Sequence, residues 1–181
     1  MRKFSFKPAL VVKGRKFKGL RGYAGKPFHP PLTDIPVAAY VFAAAFDVLS
    51  ALQDSASLRE AGTYVLVGGA VVSVLAMLTG WADWHRSSQV GTQARRTINA
   101  HAVLMIGAAV FVLVDIAVRL GADGAATGAM VLLSVAAASL TSVGATYGGS
   151  LVFDYGFNVE TSGDHPVWHE SETDVFPGDP H

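Results

Sequence analysis

Four long apolar stretches restrict what this chain can fold into. They cover about residues 35–52, 63–82, 98–120 and 125–153. A bilayer core about 30 Å thick needs roughly 20 apolar helical residues, whereas the strands of a soluble sheet are shorter. The chain has 181 residues, of which 51% are hydrophobic and 15% charged, too few polar residues to cover four buried helices in water. We therefore predict an all-α, polytopic membrane four-helix bundle over residues 28–156, in contact with the lipid bilayer.

The charges are segregated along the chain. Residues 1–30 hold nine Lys/Arg and no acid, and residues 154–181 hold seven Asp/Glu and no Lys/Arg. Four crossings put both ends and the loop at 83–97 on one side, with twelve of the fourteen basic residues. Because basic residues concentrate in cytoplasmic flanks, we predict a multi-pass protein of the cell membrane. It has a basic cytoplasmic arm, 1–27, and an acidic cytoplasmic tail, 157–181. The arm is expected to meet anionic lipid, an acidic partner or the tail.

Several chemistries are excluded or disfavoured. The chain has no cysteine, which excludes disulfides, Cys-ligated zinc or iron–sulfur clusters and a thiol nucleophile within it. Nothing in the sequence resembles a hydrolytic triad, a P-loop or a GxGxxG fingerprint. The sequence therefore does not favour an enzyme, and it does not favour nucleic-acid binding, since the basic arm lies beside a membrane.

Polar residues gather at the predicted cytoplasmic ends of the spans. They come from four separate segments of the chain, and the opposite side has no histidine. The topology predicts that they share one end of the bundle. They are His29, Asp34, Trp81, Asp83, Trp84, His85, Asn99, His101, Tyr147, Gly148, Gly149, Asp154 and Tyr155.

His29 and His101 are the candidate metal ligands. His101 is expected about 5 Å inside span 3, where ionisable side chains usually face the bundle interior. His29 lies in Pro27-Phe-His-Pro-Pro31, and these prolines predict extended or turn backbone ahead of span 1. Two neutral imidazoles on facing spans are what one b-type haem requires. The alternatives are a non-haem metal or a network in which the rings bond only to neighbouring polar groups.

The remaining polar residues have expected supporting roles. Asp34 and Asp83 are candidate acceptors for the second nitrogen of each ring, and Arg95 and Arg96, with Lys26, are candidates to pair haem propionates. Gly148 and Gly149, next to Tyr147, form either a packing notch or space for a flat ligand. Trp81 and Trp84 are typical of the headgroup level.

Two carboxylates are expected near the other face. Asp115 lies four residues before Arg119, which allows an ion pair on one helix face, and Asp47 of span 1 can join the same arginine. The group is either a clamp between spans 1 and 3 or a proton relay. A transporter is disfavoured because the sequence shows no internal repeat and no broken helix. A non-catalytic anchor for a cytoplasmic partner remains an alternative to a redox role.

Four motifs carry a family resemblance. His29-Pro-Pro-Leu-Thr-Asp-Ile-Pro36, Gly80-Trp-Ala-Asp-Trp84, His101 and Tyr147-Gly-Gly-Ser-Leu-Val-Phe-Asp-Tyr-Gly156 occur in this order. Over about residues 25–160 the chain resembles the DUF2231 family of predicted bacterial four-helix integral membrane proteins. The resemblance implies the fold and the membrane location, with His29 and His101 as the family's histidines. Some members carry a Rieske-type iron–sulfur domain after the fourth span, which implies a separate cytoplasmic Rieske-type redox partner here.

Overall fold

The protein is a bundle of four long helices. The structure, a computed structural model, describes residues 15–160. Its helices are α1 (His29–Gln53), α2 (Ala56–Ser87), α3 (Gln93–Arg119) and α4 (Gly128–Phe153), and residues 15–160 contain no β-sheet. By length and composition all four can cross a membrane. The predicted all-α architecture with four helices of membrane-spanning length is confirmed.

The beginnings of the helices follow local chemistry. Ser55, Thr92 and Thr127 cap α2, α3 and α4, and each hydroxyl accepts a hydrogen bond from a backbone N–H of the first turn. The start of α1 differs from the sequence expectation, because His29 is its first helical residue rather than part of an extended segment. Pro30 and Pro31 fit the first turn because the N–H groups there have no partner within the helix. The helix therefore holds His29 itself.

Packing places α1 and α3 on a diagonal of the bundle. Helix α1 packs closely on α2 and α4, and α3 packs closely on α4, whereas the contact between α2 and α3 is small. The interior is lined by Ala43, Leu66, Val112 and Ala137, each at most 1% exposed. The lateral surface exposes large apolar side chains, for instance Val71 at 65% and Leu132 at 73%. Such a surface suits contact with lipid.

Both ends of the described chain lie at one end of the bundle, which we name the terminal end. Glu160 bonds through its carboxylate to Arg15 at 2.7 Å and through its backbone N–H to the carbonyl of Gly25 at 3.0 Å. Arg21 lies in a short 3-10 turn (Gly19–Arg21), and its guanidinium donates to Ser87 at the end of α2. The α1–α2 and α3–α4 connections form the opposite, loop end. Residues 1–14 of the predicted arm and 161–181 of the predicted tail lie outside the described residues.

Candidate functional site

Two imidazole rings meet across the bundle at its terminal end. His29 begins α1 and His101 lies in the third turn of α3. Their ring centres are 6.0 Å apart and the ring planes are nearly perpendicular, at 83°. We call these two residues the histidine pair. Its members come from the diagonal helices, so the pair crosses the bundle interior.

Each ring is held through its Nδ1 atom. Nδ1 of His29 donates to the carbonyl oxygen of Ala76, and Nδ1 of His101 donates to that of Gly144, both at 2.8 Å. A carbonyl oxygen only accepts hydrogen bonds, so the geometry places a hydrogen on Nδ1 in both rings. In a neutral imidazole the lone pair is then on Nε2, the tautomer that a metal ion requires.

Two glycines make room for the rings. A Cβ at Gly80 would lie 2.6 Å from Cε1 of His29, and a Cβ at Gly148 would lie 3.1 Å from Cε1 of His101. Each glycine lies four residues after the residue whose carbonyl binds the same ring. The α1–α2 and α3–α4 hairpins thus hold an imidazole in the same way, an equivalence that the sequence did not reveal as a repeat.

The two expected acidic acceptors lie elsewhere. Asp34 is exposed in the second turn of α1. Asp83 is buried and accepts a hydrogen bond from Nδ2 of Asn158 at 2.8 Å. This bond ties the segment after α4 to the end of α2. The Nδ1 atoms of His29 and His101, which were expected to bind these carboxylates, instead bind backbone carbonyls. Because every residue type carries a backbone carbonyl, nothing in the sequence indicated this acceptor.

The arginines lie on the α2–α3 side of the terminal end. Arg95 donates to the carbonyl oxygen of Trp84 at 2.8 Å, and its guanidinium carbon is 3.9 Å from the centre of a Trp84 ring. Arg96 is exposed and pairs with Gln93. Arg95 thus holds the α2–α3 connection, whereas Arg96 lies towards solvent.

The other predicted residues lie around this end. Tyr147 is 41% exposed, and a Cβ at Gly149 would meet only Phe153, at 3.9 Å. The indole of Trp81 stacks on His85 at the exposed surface, with ring centres 5.7 Å apart and planes 2° from parallel. Of the expected cluster, the structure therefore brings His29, His101 and Gly148 together, and leaves Tyr147 and Gly149 at the rim.

The separation of the two ring centres is compatible with a metal ion held between the rings. With a metal–nitrogen bond of about 2.0–2.1 Å and about 1.1 Å from that nitrogen to the ring centre, two imidazoles on opposite sides of a metal would have ring centres about 6.2–6.4 Å apart. The observed separation is 6.0 Å. Within residues 15–160 no group of three or more His, Cys, Asp or Glu side chains is arranged to hold a metal ion. Two imidazoles would suffice only for a group such as haem, whose porphyrin would supply the other ligands.

A second polar group lies near the loop end. Arg119 donates from Nε and Nη2 to the two oxygens of Asp115, both at 2.9 Å, and also from Nη2 to Asp47. Its Nη1 donates to the hydroxyl of Thr63 at 3.0 Å. We call Asp47, Asp115, Arg119 and Thr63 the ion cluster. Asp47 and Asp115 have no exposed surface, and Arg119 is 5% exposed.

Comparison with known proteins identifies the family. The family model described as "Predicted membrane protein (DUF2231)" matches residues 25–161, about three-quarters of the chain. The chain belongs to the DUF2231 family. No match was found among curated proteins or among solved structures. The DUF2231 match includes both members of the histidine pair and the whole ion cluster.

Proposed function

We propose that this DUF2231 protein is a redox-associated membrane subunit that holds one b-type haem between His29 and His101. The single observation that carries the proposal is the histidine pair, with ring centres 6.0 Å apart and both Nδ1 atoms bound to carbonyls. Haem, when bound, supplies one-electron oxidation and reduction at its iron.

The residues of the pair have distinct tasks in this proposal. The carbonyls of Ala76 and Gly144 fix the orientation and tautomer of each ring and increase the basicity of Nε2. The absence of a side chain at Gly80 and Gly148 lets the rings lie against α2 and α4. Arg96 is the arginine we propose to meet a propionate, since Arg95 is engaged with Trp84.

The position of the pair restricts the route of electrons. Both rings lie at the terminal end, which carries most of the basic residues and which we propose to face the cytoplasm. Within residues 15–160 the one histidine outside the pair, His85, also lies at the terminal end, in the last turn of α2. One centre at one face exchanges electrons on that face, so the donor or acceptor is a protein docked there. A separate Rieske-type protein is the partner we propose.

The test is the absorption spectrum of protein purified in detergent from haem-replete cells. We expect a Soret band and about one haem per chain by pyridine haemochrome assay and iron analysis. His29→Ala and His101→Ala should each lose the band, because either change removes one of the two imidazoles that would hold the haem. His85→Ala is the matched control and should keep it, since His85 stacks on Trp81 at the surface.

A non-catalytic anchor is the second candidate, and a specific observation favours it. Arg15–Glu160 joins residues 15–28 to residues 154–160, and Asn158–Asp83 joins the latter segment to α2, so that they form one folded surface at the terminal end. Such a surface can dock a partner without any cofactor. A colourless, iron-free preparation from haem-replete cells would contradict the haem proposal and leave this one.

A further inference from the structure

The ion cluster contains more negative than positive charge. Two carboxylates, Asp47 and Asp115, face one guanidinium, Arg119, and all three are buried near the loop end. If both carboxylates were ionised, the buried group would carry one uncompensated negative charge. An unpaired charge away from water costs several kcal/mol, and within a membrane it is disfavoured further.

In the part of the chain that the structure describes, no second cation forms an ion pair with the cluster. On α2, the basic residue closest along the chain to Thr63 of the cluster is Arg59. Its Nε donates to the carbonyl of Gly124 at 2.7 Å, and its Nη2 lies 3.9 Å from the exposed carboxylate of Glu60. Helix α4 contains no charged residue, and the remaining acid near the loop end of α1 is the exposed Asp54. Within residues 15–160 the cluster therefore has two carboxylates in direct contact with a single cation.

One oxygen of the cluster has no partner. Both carboxylate oxygens of Asp115 accept hydrogen bonds from Arg119, whereas only Oδ2 of Asp47 does so. Among the described residues, Oδ1 of Asp47 makes no hydrogen bond, although it is fully buried. It lies beside Gly62, where a Cβ would approach it to 3.1 Å. A metal cation needs about six oxygen ligands, but a proton needs one.

We propose that Asp47 carries an exchangeable proton, which makes the ion cluster a proton-binding site that exchanges with the membrane face at the loop end. The proton resides on the carboxyl group of Asp47 and neutralises the cluster. Asp47 lies six residues before the end of α1, so the distance along the helix to that face is about 9 Å. This site does not depend on the haem proposal.

Infrared difference spectroscopy of the full-length protein in lipid nanodiscs tests the proposal. We expect a protonated-carboxyl C=O band that shifts in D₂O and on ¹³C-labelling of aspartate. Asp47→Asn should abolish this band while the protein stays folded, because the amide is neutral and has the same shape. Asp34→Asn, an exposed change on the same helix, is the matched control and should retain it.

A second variant covers the case in which Asp47→Asn does not fold. Asp47→Glu keeps a carboxyl group and should move the band to the glutamic-acid frequency without removing it. The proposal is overturned if the protonated-carboxyl band is absent from the unchanged protein, or if it persists in Asp47→Asn. It is also overturned if the Asp47 signal follows sodium concentration at constant pH, since the site then takes a metal cation.

Discussion

At the scale of single residues, two glycines determine where the imidazole rings lie. The ring of His29 is fixed by the carbonyl of Ala76 and by its position in the first turn of α1, so it cannot move far when its space is reduced. A Cβ at Gly80 would come within 2.6 to 3.1 Å of three atoms of this ring. At Gly148 the nearest ring atom would be 3.1 Å away, a contact that a small shift relieves.

Gly80→Ala is therefore expected to displace His29. Crowding of this kind costs about 1–3 kcal/mol, and it should shift or weaken the haem spectrum if haem is bound, whereas Gly148→Ala should have a smaller effect on both. Gly68→Ala, on the same helix with no atom within 4 Å of the new Cβ, is the control. It should leave the spectrum unchanged and stabilise α2 by up to about 1 kcal/mol. Equal effects of Gly80→Ala and Gly68→Ala on unfolding in mixed micelles and on the spectrum would argue against a role of Gly80 in making room for His29.

At the scale of helices, α1 and α3 are joined twice across the diagonal. His29 and Asp47 are 18 residues apart on α1, and His101 and Arg119 are 18 residues apart on α3. Eighteen residues are five full helical turns, so both polar residues of each helix lie on one face. The histidine pair joins these faces at the terminal end, and the ion cluster joins them at the loop end.

This spacing explains how far the sequence could predict the site. Apolar length was enough to predict four helices, and the even number of crossings placed His29 and His101 at one end. The shared 18-residue interval was available in the sequence but was not used, and it would have indicated that α1 and α3 face each other. The partners of the rings could not be predicted, because a backbone carbonyl leaves no trace in residue identity. The helical start at His29 was missed because prolines disfavour helices everywhere except in the first turn.

Removal of Arg119 tests whether the ion cluster links α1 to α3 at the loop end. Arg119→Met leaves Asp115 and Asp47 buried without their guanidinium, and such a loss costs about 3–5 kcal/mol of unfolding free energy. We expect that decrease in the free energy of unfolding measured in mixed micelles. The control Arg96→Met, at the exposed start of α3, should change this free energy little. Adding Asp47→Leu and Asp115→Leu to Arg119→Met should restore most of the stability, because no buried charge then remains. A loss below about 1 kcal/mol in the single variant would mean that the cluster does not join the helices.

At the scale of the whole molecule, the histidine pair and the ion cluster mark the two boundaries of the apolar region. An 18-residue interval is about 27 Å of helix, close to the roughly 30 Å of a bilayer core. Between the joins the interior is closed by Leu66, Val112 and Ala137, each at most 1% exposed. The histidine pair and the ion cluster therefore lie at opposite ends of the bundle, separated by a packed apolar layer.

The last prediction concerns which membrane face each end of the bundle occupies. It can be measured by labelling introduced cysteines, because the chain has no cysteine of its own. Gln89→Cys places one thiol on the exposed α2–α3 connection at the terminal end, and Asp123→Cys places one on the exposed α3–α4 connection at the loop end. Because the terminal end carries most of the basic residues, a membrane-impermeant maleimide added to intact cells should label Asp123→Cys only, and inverted vesicles should reverse the result. Labelling of Gln89→Cys alone from outside would move the histidine pair to the outer face and exclude a cytoplasmic electron partner. Labelling of both variants from one side would contradict the arrangement of the two connections at opposite ends, and with it the separation of the two polar sites.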